Sequence, residues 1–440
     1  MMRVLLSTLL CELVLRIGPV SVVAWTSSAA NQRAKCQLHA SKPDSSDRET
    51  SIARRQVLQK TATAFTGAST SSLWLPSSAK GSDVTGISDE IVTASTNKGT
   101  SIPTTRLGKS SLEISQTIQG YWQLAGGHGR YKETDALANM KAHYEAGITT
   151  LDTADIYGKS EQIIGQFVSS SSQQQSPPPV VCTKFCCFRF LEDINRDEVR
   201  TRILQARDRL QIQQLPLVQF FWSNYDIKRY VDVALYLTEL KEEGLIREIG
   251  ATNFDLKRLQ ELKKADVPIV SHQVQLSALD QRSVQSGMAE WCSANDISLI
   301  AFGTVASGIL SEKYLGRTEP PTQEERNTAS MRMYSTTASR FGDWSLVQEL
   351  LRTLQAIAQT VREEGRCPTA TLANVAQRYV LQTPAVAAVL IGVRNQDHLK
   401  ENIATHSFTL TRSEMDAIDR VVTKRKGPKG DVWDIERGYV

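Results

Sequence analysis

A chain of 440 residues has room for more than one domain, or for one barrel with additions. An apolar share of 41% is ordinary for a folded protein, and a net charge of +4, mixed along the chain, supplies no basic surface for nucleic acid. Seven cysteines show no even, spaced framework, and six scattered histidines give no ligand pair at helical spacing, so neither a disulfide scaffold nor a metal site is expected. Cys182, Cys186 and Cys187 cluster, but their spacing is neither a zinc nor a thioredoxin pattern, and they read as free thiols at a strand end.

Residues 1–100 differ in composition from the rest of the chain. Met1 to Trp25 has an early Arg3, an apolar stretch broken by Glu12 and Arg16, and a small-residue site, Val22-Val23-Ala24; it resembles a secretory signal peptide cleaved after Ala24. No apolar run is long enough to span a bilayer, so stable membrane insertion is not expected. A Ser/Ala-rich stretch from Thr26 to Ser51 comes next, then Arg54-Arg55, a mildly apolar segment from Ala62 to Leu75, and Ser77-Ser78-Ala79. That order reads as a layered presequence of signal peptide, transit-like spacer and twin-arginine signal, similar to the targeting of plastid proteins in algae with complex plastids. The expected location is a plastid, stroma or thylakoid lumen. The alternative is a Ser-rich extension with a chance arginine pair on a secretory or cytoplasmic protein. The folded region is expected over 101–427, with 428–440 as a tail.

From Arg106 the composition becomes globular. Leu112 to Trp122 reads as an edge hairpin and a first strand, and a helix from Thr134 leads to Glu145. Thr149 to Thr153 reads as a short buried strand, and Ser160 opens a helix that carries Ile163, Ile164 and Phe167 on one face. Ser169 to Pro179 is a Ser/Gln/Pro surface patch. Further strands are expected at 180–185, with Lys184 at its C-terminal end, and at 215–222, 247–253, 270–275, 298–302 and 386–391. Helices between them are expected at 197–210, 230–244, 257–264 and 289–295. An insertion rich in Glu, Thr and Arg runs from Ser311 to Trp344, and further helices are expected at 346–363, 372–381, 397–404 and 413–424. Strand–helix alternation of this kind predicts a single (β/α)8 TIM barrel with an N-terminal hairpin and extra C-terminal helices. An open doubly wound sheet is disfavoured, because Gly120-Tyr121-Trp122 and Gly126-Gly127 lack the G-x-G-x-x-G spacing.

In a barrel, Asp152, Tyr157 and Lys184 would share one mouth. A phenol is a poor acid at neutral pH, since its ordinary pKa is about 10. A nearby ammonium favours the phenolate and eases proton donation, and a carboxylate beside the lysine keeps it placed and charged. Carbonyl reduction needs such an acid, because hydride addition leaves an alkoxide to be protonated.

The motif Gly147-x-x-x-x-Asp152-Thr153-Ala154-x-x-Tyr157-Gly158 resembles the aldo-keto reductases, and the resemblance runs from Arg106 to about Lys426. It implies Tyr157 as general acid, Lys184 and Asp152 as its tuning pair, and NADPH/NADP+ held extended across the mouth without a Rossmann motif. Thr252-Asn253 matches the family's Ser-Asn pair and Gln273 its glutamine, both toward the nicotinamide carboxamide. Phe302 matches the aromatic residue that stacks on the nicotinamide ring. Gly392, Arg394, Glu401 and Asn402 match the adenosine and 2′-phosphate site, where a guanidinium fork and a helix N-terminus favour an anion. Trp122 is expected to wall the pocket for a small-molecule carbonyl substrate, an aldehyde, ketone or quinone.

One position departs from the family. Leu217-Val218-Gln219-Phe220-Phe221-Trp222 places Phe221 where the family carries a histidine. Phenylalanine can neither polarise a carbonyl nor share a proton, and losing such a donor costs ~10²–10³ in rate. Three outcomes stand open: a slow or narrow reductase, a donor supplied by a loop residue such as His128, or an NADPH-binding regulatory or interaction module with little turnover. Oligomeric state is not legible, and substrate identity is expected to lie in residues 311–344 and in the tail, where Trp433 and Tyr439 could reach the mouth.

Overall fold

The computed structural model describes residues 102–171 and 177–438. The signal-like segment, the Arg54-Arg55 pair, the middle of the Ser/Gln/Pro patch and Tyr439 lie outside the described residues. A short antiparallel hairpin, β1 (Thr104–Arg106) with β2 (Glu113–Ser115), comes first. Eight parallel strands come after it: β3 (Thr117–Gly120), β4 (Thr150–Asp152), β5 (Val180–Cys187), β6 (Leu215–Trp222), β7 (Ile246–Thr252), β8 (Ile269–Gln275), β9 (Ser298–Phe302) and β10 (Val386–Gly392). They pair in chain order, and β10 joins both β9 and β3 to close the barrel.

Side chains of a strand alternate between its two faces, and this alternation assigns the barrel's layers. Inward-facing Ile118, Cys182, Leu217, Ile300 and Ala388 form one apolar cluster, and Leu107, Leu112 and Ile114 of the hairpin segment pack into it as a floor. The outward-facing set, including Val181, Phe185, Val218, Phe220, Ile249, Ala251, Val274 and Leu299, packs under the surrounding helices. Two residues beyond the inward layer, the same strands present Lys184 after Cys182, Gln219 after Leu217 and Phe302 after Ile300. On β5 and β6 polar residues thus begin where the apolar filling ends. The helices start where capping side chains allow: Asn195 accepts from the Glu198 N–H, Asp255 from Arg258, and Thr371 and Thr411 form reciprocal caps with Asn374 and Glu414.

One expectation needs correction, and two later segments carry structure that was not expected. β5 does not end at Lys184 but continues to Cys187, because Phe185, Cys186 and Cys187 find partners in Phe220, Phe221 and Trp222 of the long neighbour β6. The 311–344 insertion, for which the sequence predicts no element, carries structure. It contains a helix, Ala329–Phe341, whose Met331, Tyr334, Ala338 and Phe341 recur at helical spacing and are buried. Thr328 caps it through the Met331 N–H, and the Arg317–Glu325 ion pair at 2.7 Å braces the loop before it. The tail also carries structure. A short helix, Asp434–Arg437, comes after Trp433, and three contacts hold it: Leu256 N–H to Asp431 Oδ2 at 2.8 Å, Arg282 to Glu436 at 2.7 Å, and Arg437 Nη2 to the Trp222 carbonyl at 2.8 Å. No helix among the described residues is long and apolar enough to cross a membrane.

His272, on the outward face of β8, is fully buried and accepts from the Phe254 N–H at 3.0 Å. Burial, aided by the Arg437 charge, pushes its pKa down to about 3. The unfolded chain therefore binds a proton that the folded one refuses. This contribution to stability is whole above pH 6.5 and is lost as pH falls toward 3, by up to about 1.4 kcal/mol per pH unit. Urea midpoints measured between pH 7 and 4.5 should fall, and less steeply in His272→Gln; equal slopes would remove His272 as the cause.

Candidate active site

The C-terminal halves of β4, β5, β6 and β8 converge on one buried carboxylate. Asp152 Oδ1 accepts from Lys184 Nζ at 2.5 Å, and Oδ2 accepts from Gln219 Nε2 at 2.8 Å and from Gln273 Nε2 at 2.7 Å. Lys184 Nζ also donates to the Thr153 carbonyl at 2.9 Å. Both members of the ion pair are almost wholly out of solvent. The ammonium lies 5.0 Å from the centre of the Tyr157 ring, so the three residues predicted to work together do stand together.

The loop that carries Tyr157 is fixed at several points. Tyr157 N–H donates to the Ala154 carbonyl and Ser160 N–H to the Tyr157 carbonyl, both at 3.0 Å. Thr153 donates to Ser160 across the loop at 2.8 Å. Asp155, paired with Arg202 at 2.6 Å, receives the Cys186 N–H. Gly158 turns the chain at φ 57°, a left-handed conformation that glycine adopts without strain.

Burial pushes the Tyr157 phenol up to about 12; Lys184 pulls it down, and Asp152 adds a smaller upward push. The ammonium acts in the expected direction, but burial outweighs it, and Tyr157 stays a neutral donor at physiological pH. Lys184 is held charged: burial works against it, and the Asp152 carboxylate and Tyr157 more than offset that. Cys182, Cys186 and Cys187 are buried free thiols, and burial raises all three.

The residues expected to meet a cofactor line the rim. Asn253 comes directly after β7 in a left-handed conformation, φ 56°, and its buried side-chain Oδ1 has no hydrogen-bond partner. Thr252 spends its hydroxyl on the Gln273 carbonyl at 3.1 Å. Phe302 ends β9 half-buried, edge-on to Trp433 with ring centres 6.4 Å apart. Gly392 ends β10 with open space where a side chain would stand. Arg394 is exposed, lies against Gly129 and has no carboxylate partner among the described residues. An unpaired guanidinium, an orphaned amide oxygen and an open glycine fit an extended ligand carrying an anion and an amide. Glu401 and Asn402 are already engaged: Glu401 accepts from Thr371 at 2.7 Å and meets His398 at 2.8 Å, and Asn402 accepts from Gln377 at 3.3 Å.

Phe221, two residues beyond Gln219 on the inward face of β6, forms a small apolar cluster with Ala154 and Cys186, against which Tyr157, Ile156 and Trp433 pack. Trp122 meets His128 edge-on at 4.9 Å. The two ring nitrogens of His128 are both occupied, Nδ1 by the Gly126 carbonyl at 2.9 Å and Nε2 by the Ser330 N–H at 3.4 Å. Burial lowers its pKa, and Arg394 and Arg332 add to that, while the Gly126 contact opposes it. His128 therefore holds the inserted helix to the mouth.

Four further residues stand at this mouth, three of them without a clear signal in the sequence. Phe188, beyond β5, is 46% exposed and 5.0 Å from Phe221; it falls past the strand end that the sequence of β5 suggests. Gln219 does have a signal, since its inward register with Phe221 follows from strand alternation. Tyr334 lies in a polar insertion for which the sequence predicts no element. Arg437 stands 5.4 Å from the centre of the Phe221 ring and comes from the tail, where no local pattern signals contact with β6.

A closed barrel with an ammonium–carboxylate pair beside a phenol toward the strand ends, and amides and a guanidinium beyond them, can hold and move a proton at its mouth. The chain matches the Aldo/keto reductase family over residues 117–423 and belongs to it. These are oxidoreductases of carbonyl compounds that use NAD(P)H. Among characterised proteins, the chloroplastic pyridoxal reductase of Arabidopsis thaliana is 24% identical, with 76% of this chain and 89% of that protein aligned. The L-glyceraldehyde 3-phosphate reductase of Escherichia coli K12 is 23% identical over 71% of this chain and 90% of its own. Among solved structures, a glycerol dehydrogenase from Gluconobacter oxydans superposes with a TM-score of 0.60 at 19% identity, covering 74% of this chain and 97% of that one. The holo form of an aldo-keto reductase from Bacillus halodurans gives 0.56 at 24%, covering 73% and 96%.

Removing one partner of a buried ion pair leaves a stranded charge. Asp152→Asn should lower unfolding free energy by about 3–5 kcal/mol in urea, and Asp152→Asn with Lys184→Met should recover part of that loss. Simple addition of the two single losses would mean the pair is not coupled.

Proposed function

We propose that this protein reduces an aldehyde, ketone or quinone carbonyl with NADPH, Tyr157 giving the proton. The observation that carries this reading is the buried Asp152–Lys184 pair beside the Tyr157 ring. The nicotinamide, when bound, supplies the hydride. The chain's own residues do the rest. Tyr157 holds a proton at its hydroxyl and delivers it to the oxygen that gains charge as the carbonyl carbon is reduced. Lys184 limits the cost of the phenolate left behind, and Asp152 keeps Lys184 charged and in place. Asn253 and Gln273 would hold the carboxamide, Phe302 would lie on the ring, and Arg394 would meet the 2′-phosphate with Gly392 leaving room beside it. Glu401 and Asn402 would reach the adenosine from the helix 399–404.

The apolar wall of Phe221, Phe188, Trp433 and Trp122 favours a substrate with an apolar or aromatic body. The names of the Arabidopsis and Escherichia relatives, reductases of pyridoxal and of a phosphorylated aldehyde, support an aldehyde within the range. A second reading, an NADPH-binding regulatory or interaction module with little turnover, is favoured by Phe221, which offers no hydrogen bond to a substrate oxygen. A plastid location is supported by the layered reading of residues 1–100 and by the chloroplastic relative.

NADPH oxidation with a panel of aromatic aldehydes and quinones should be measurable in the wild type and fall by ~10²–10⁴ in Tyr157→Phe. Tight NADPH binding with no turnover in either protein would favour the regulatory reading. Arg394→Ala should weaken NADPH about tenfold or more, as loss of a charge-assisted contact does, and leave NADH unchanged. Equal weakening of both in fluorescence titrations would remove Arg394 from the 2′-phosphate.

A further inference from the structure

A carbonyl oxygen that gains negative charge needs hydrogen bonds aimed at it, and one donor is rarely enough. Phe221 provides none, and the ring nitrogens of His128 are taken by Gly126 and Ser330. The inserted helix 329–341 offers another phenol. Tyr334 is 6% exposed, and its ring lies on Gly303, the residue after Phe302. A β-carbon placed at Gly303 would stand 2.5 Å from Tyr334 Cε1 and 2.7 Å from its hydroxyl oxygen, so the glycine there makes room for this ring. The Tyr334 hydroxyl makes no hydrogen bond among the described residues, and its oxygen is not among the fully buried unpartnered atoms, so it is free to meet a ligand at the mouth.

The helix is held on two sides of the mouth. Ala329 N–H donates to the Gly127 carbonyl at 2.8 Å, and Gln275, at the end of β8, donates to Thr337 at 3.1 Å. Thr337 and Tyr334 are three residues apart and share a helix face, so the anchor that fixes one fixes the other. We propose that Tyr334 is the second hydrogen-bond donor to the substrate oxygen, supplying from the inserted helix what the residue at 221 cannot. This rests on the reductase reading. The balance of the reaction is unchanged by it: hydride passes from NADPH, which becomes NADP+, the proton passes from Tyr157, and Tyr334 keeps its own. Burial raises the Tyr334 pKa, with Tyr157 and Asp280 acting in the same direction, so the phenol stays a donor at neutral pH while sensing the charge on Tyr157.

Tyr334→Phe removes an oxygen without a partner, so the melting temperature should hold. The rate constant kcat should fall ~10²-fold or more, kcat/KM should fall equally, and NADPH affinity should not move, the pattern of an interaction made in the transition state. Adding Phe221→His to Tyr334→Phe should recover rate. Independently of turnover, phenylacetate binding to the NADP+-loaded protein, read by calorimetry, should weaken about tenfold or more, because its carboxylate oxygen imitates the alkoxide. A Tyr334→Phe protein that binds phenylacetate as tightly as the wild type, or that turns over as fast, overturns the proposal. If the wild type reduces nothing but loses phenylacetate binding in Tyr334→Phe, the oxyanion site stands and the reductase reading falls.

Discussion

The contact between Lys184 and Asp152 organises the mouth of this barrel. A bare ammonium and a bare carboxylate would each be unstable at this depth, and together they are tolerable only if their remaining hydrogen-bonding capacity is met. Gln219 and Gln273 meet it for Asp152, and the Thr153 carbonyl meets part of it for Lys184. Four strands are thereby fixed in register at the level where the apolar filling stops. The pair cannot be moved without moving those strands, and Tyr157 inherits that rigidity, because its loop is tied to β5 through Asp155 and Cys186. Preorganised charge of this sort is what a site for proton delivery requires.

Above that fixed layer, the elements that close the mouth come from far along the chain. The helix 329–341 is anchored to Gly127, His128 and Gln275. The tail is held by Arg282, which pairs with Asp280 from its own loop and with Glu436 of the tail. Barrel folds place variable loops on an invariant frame, and here two such segments set the walls of the pocket. Trp433 stands edge-on to Phe302, and Arg437 over Phe221 and Tyr225, so the tail touches two of the strands that carry site residues.

The frame was legible in the sequence because strands buried on both faces read as short apolar runs, as β6 and β9 do, and the helices between them carry an apolar face at a period of 3.6, both local properties. The grouping of Asp152, Tyr157 and Lys184 was legible because Asp152 and Tyr157 sit within one short motif and Lys184 lies in a recognisable run of β-formers. What lay hidden depended on contacts between distant segments. The full length of β5 is set by its neighbour β6, not by its own residues, and Phe188 is hidden with it. The helix 329–341 is rich in Ser, Thr and Arg, and its buried residues carry too little apolar signal to stand out in a polar stretch. The direction of the Tyr157 shift was hidden too, since the effect of Lys184 can be guessed from identity, but the larger effect of burial depends on what covers the ring.

Phe221 has a physical consequence beyond the absence of a donor. A histidine at that place would need a partner for its second nitrogen, and a buried one without it is costly. Phenylalanine removes that demand and lets Phe188, Trp433 and the apolar part of Tyr157 close around it without polar gaps. Burial, to which this apolar cluster contributes, is the largest cause of the rise of the Tyr157 phenol to about 12. A drier pocket strengthens every hydrogen bond made inside it. Phenylalanine rather than a polar residue at 221 thus leaves this strand without polarity at the mouth, and any hydrogen bond made there counts for more.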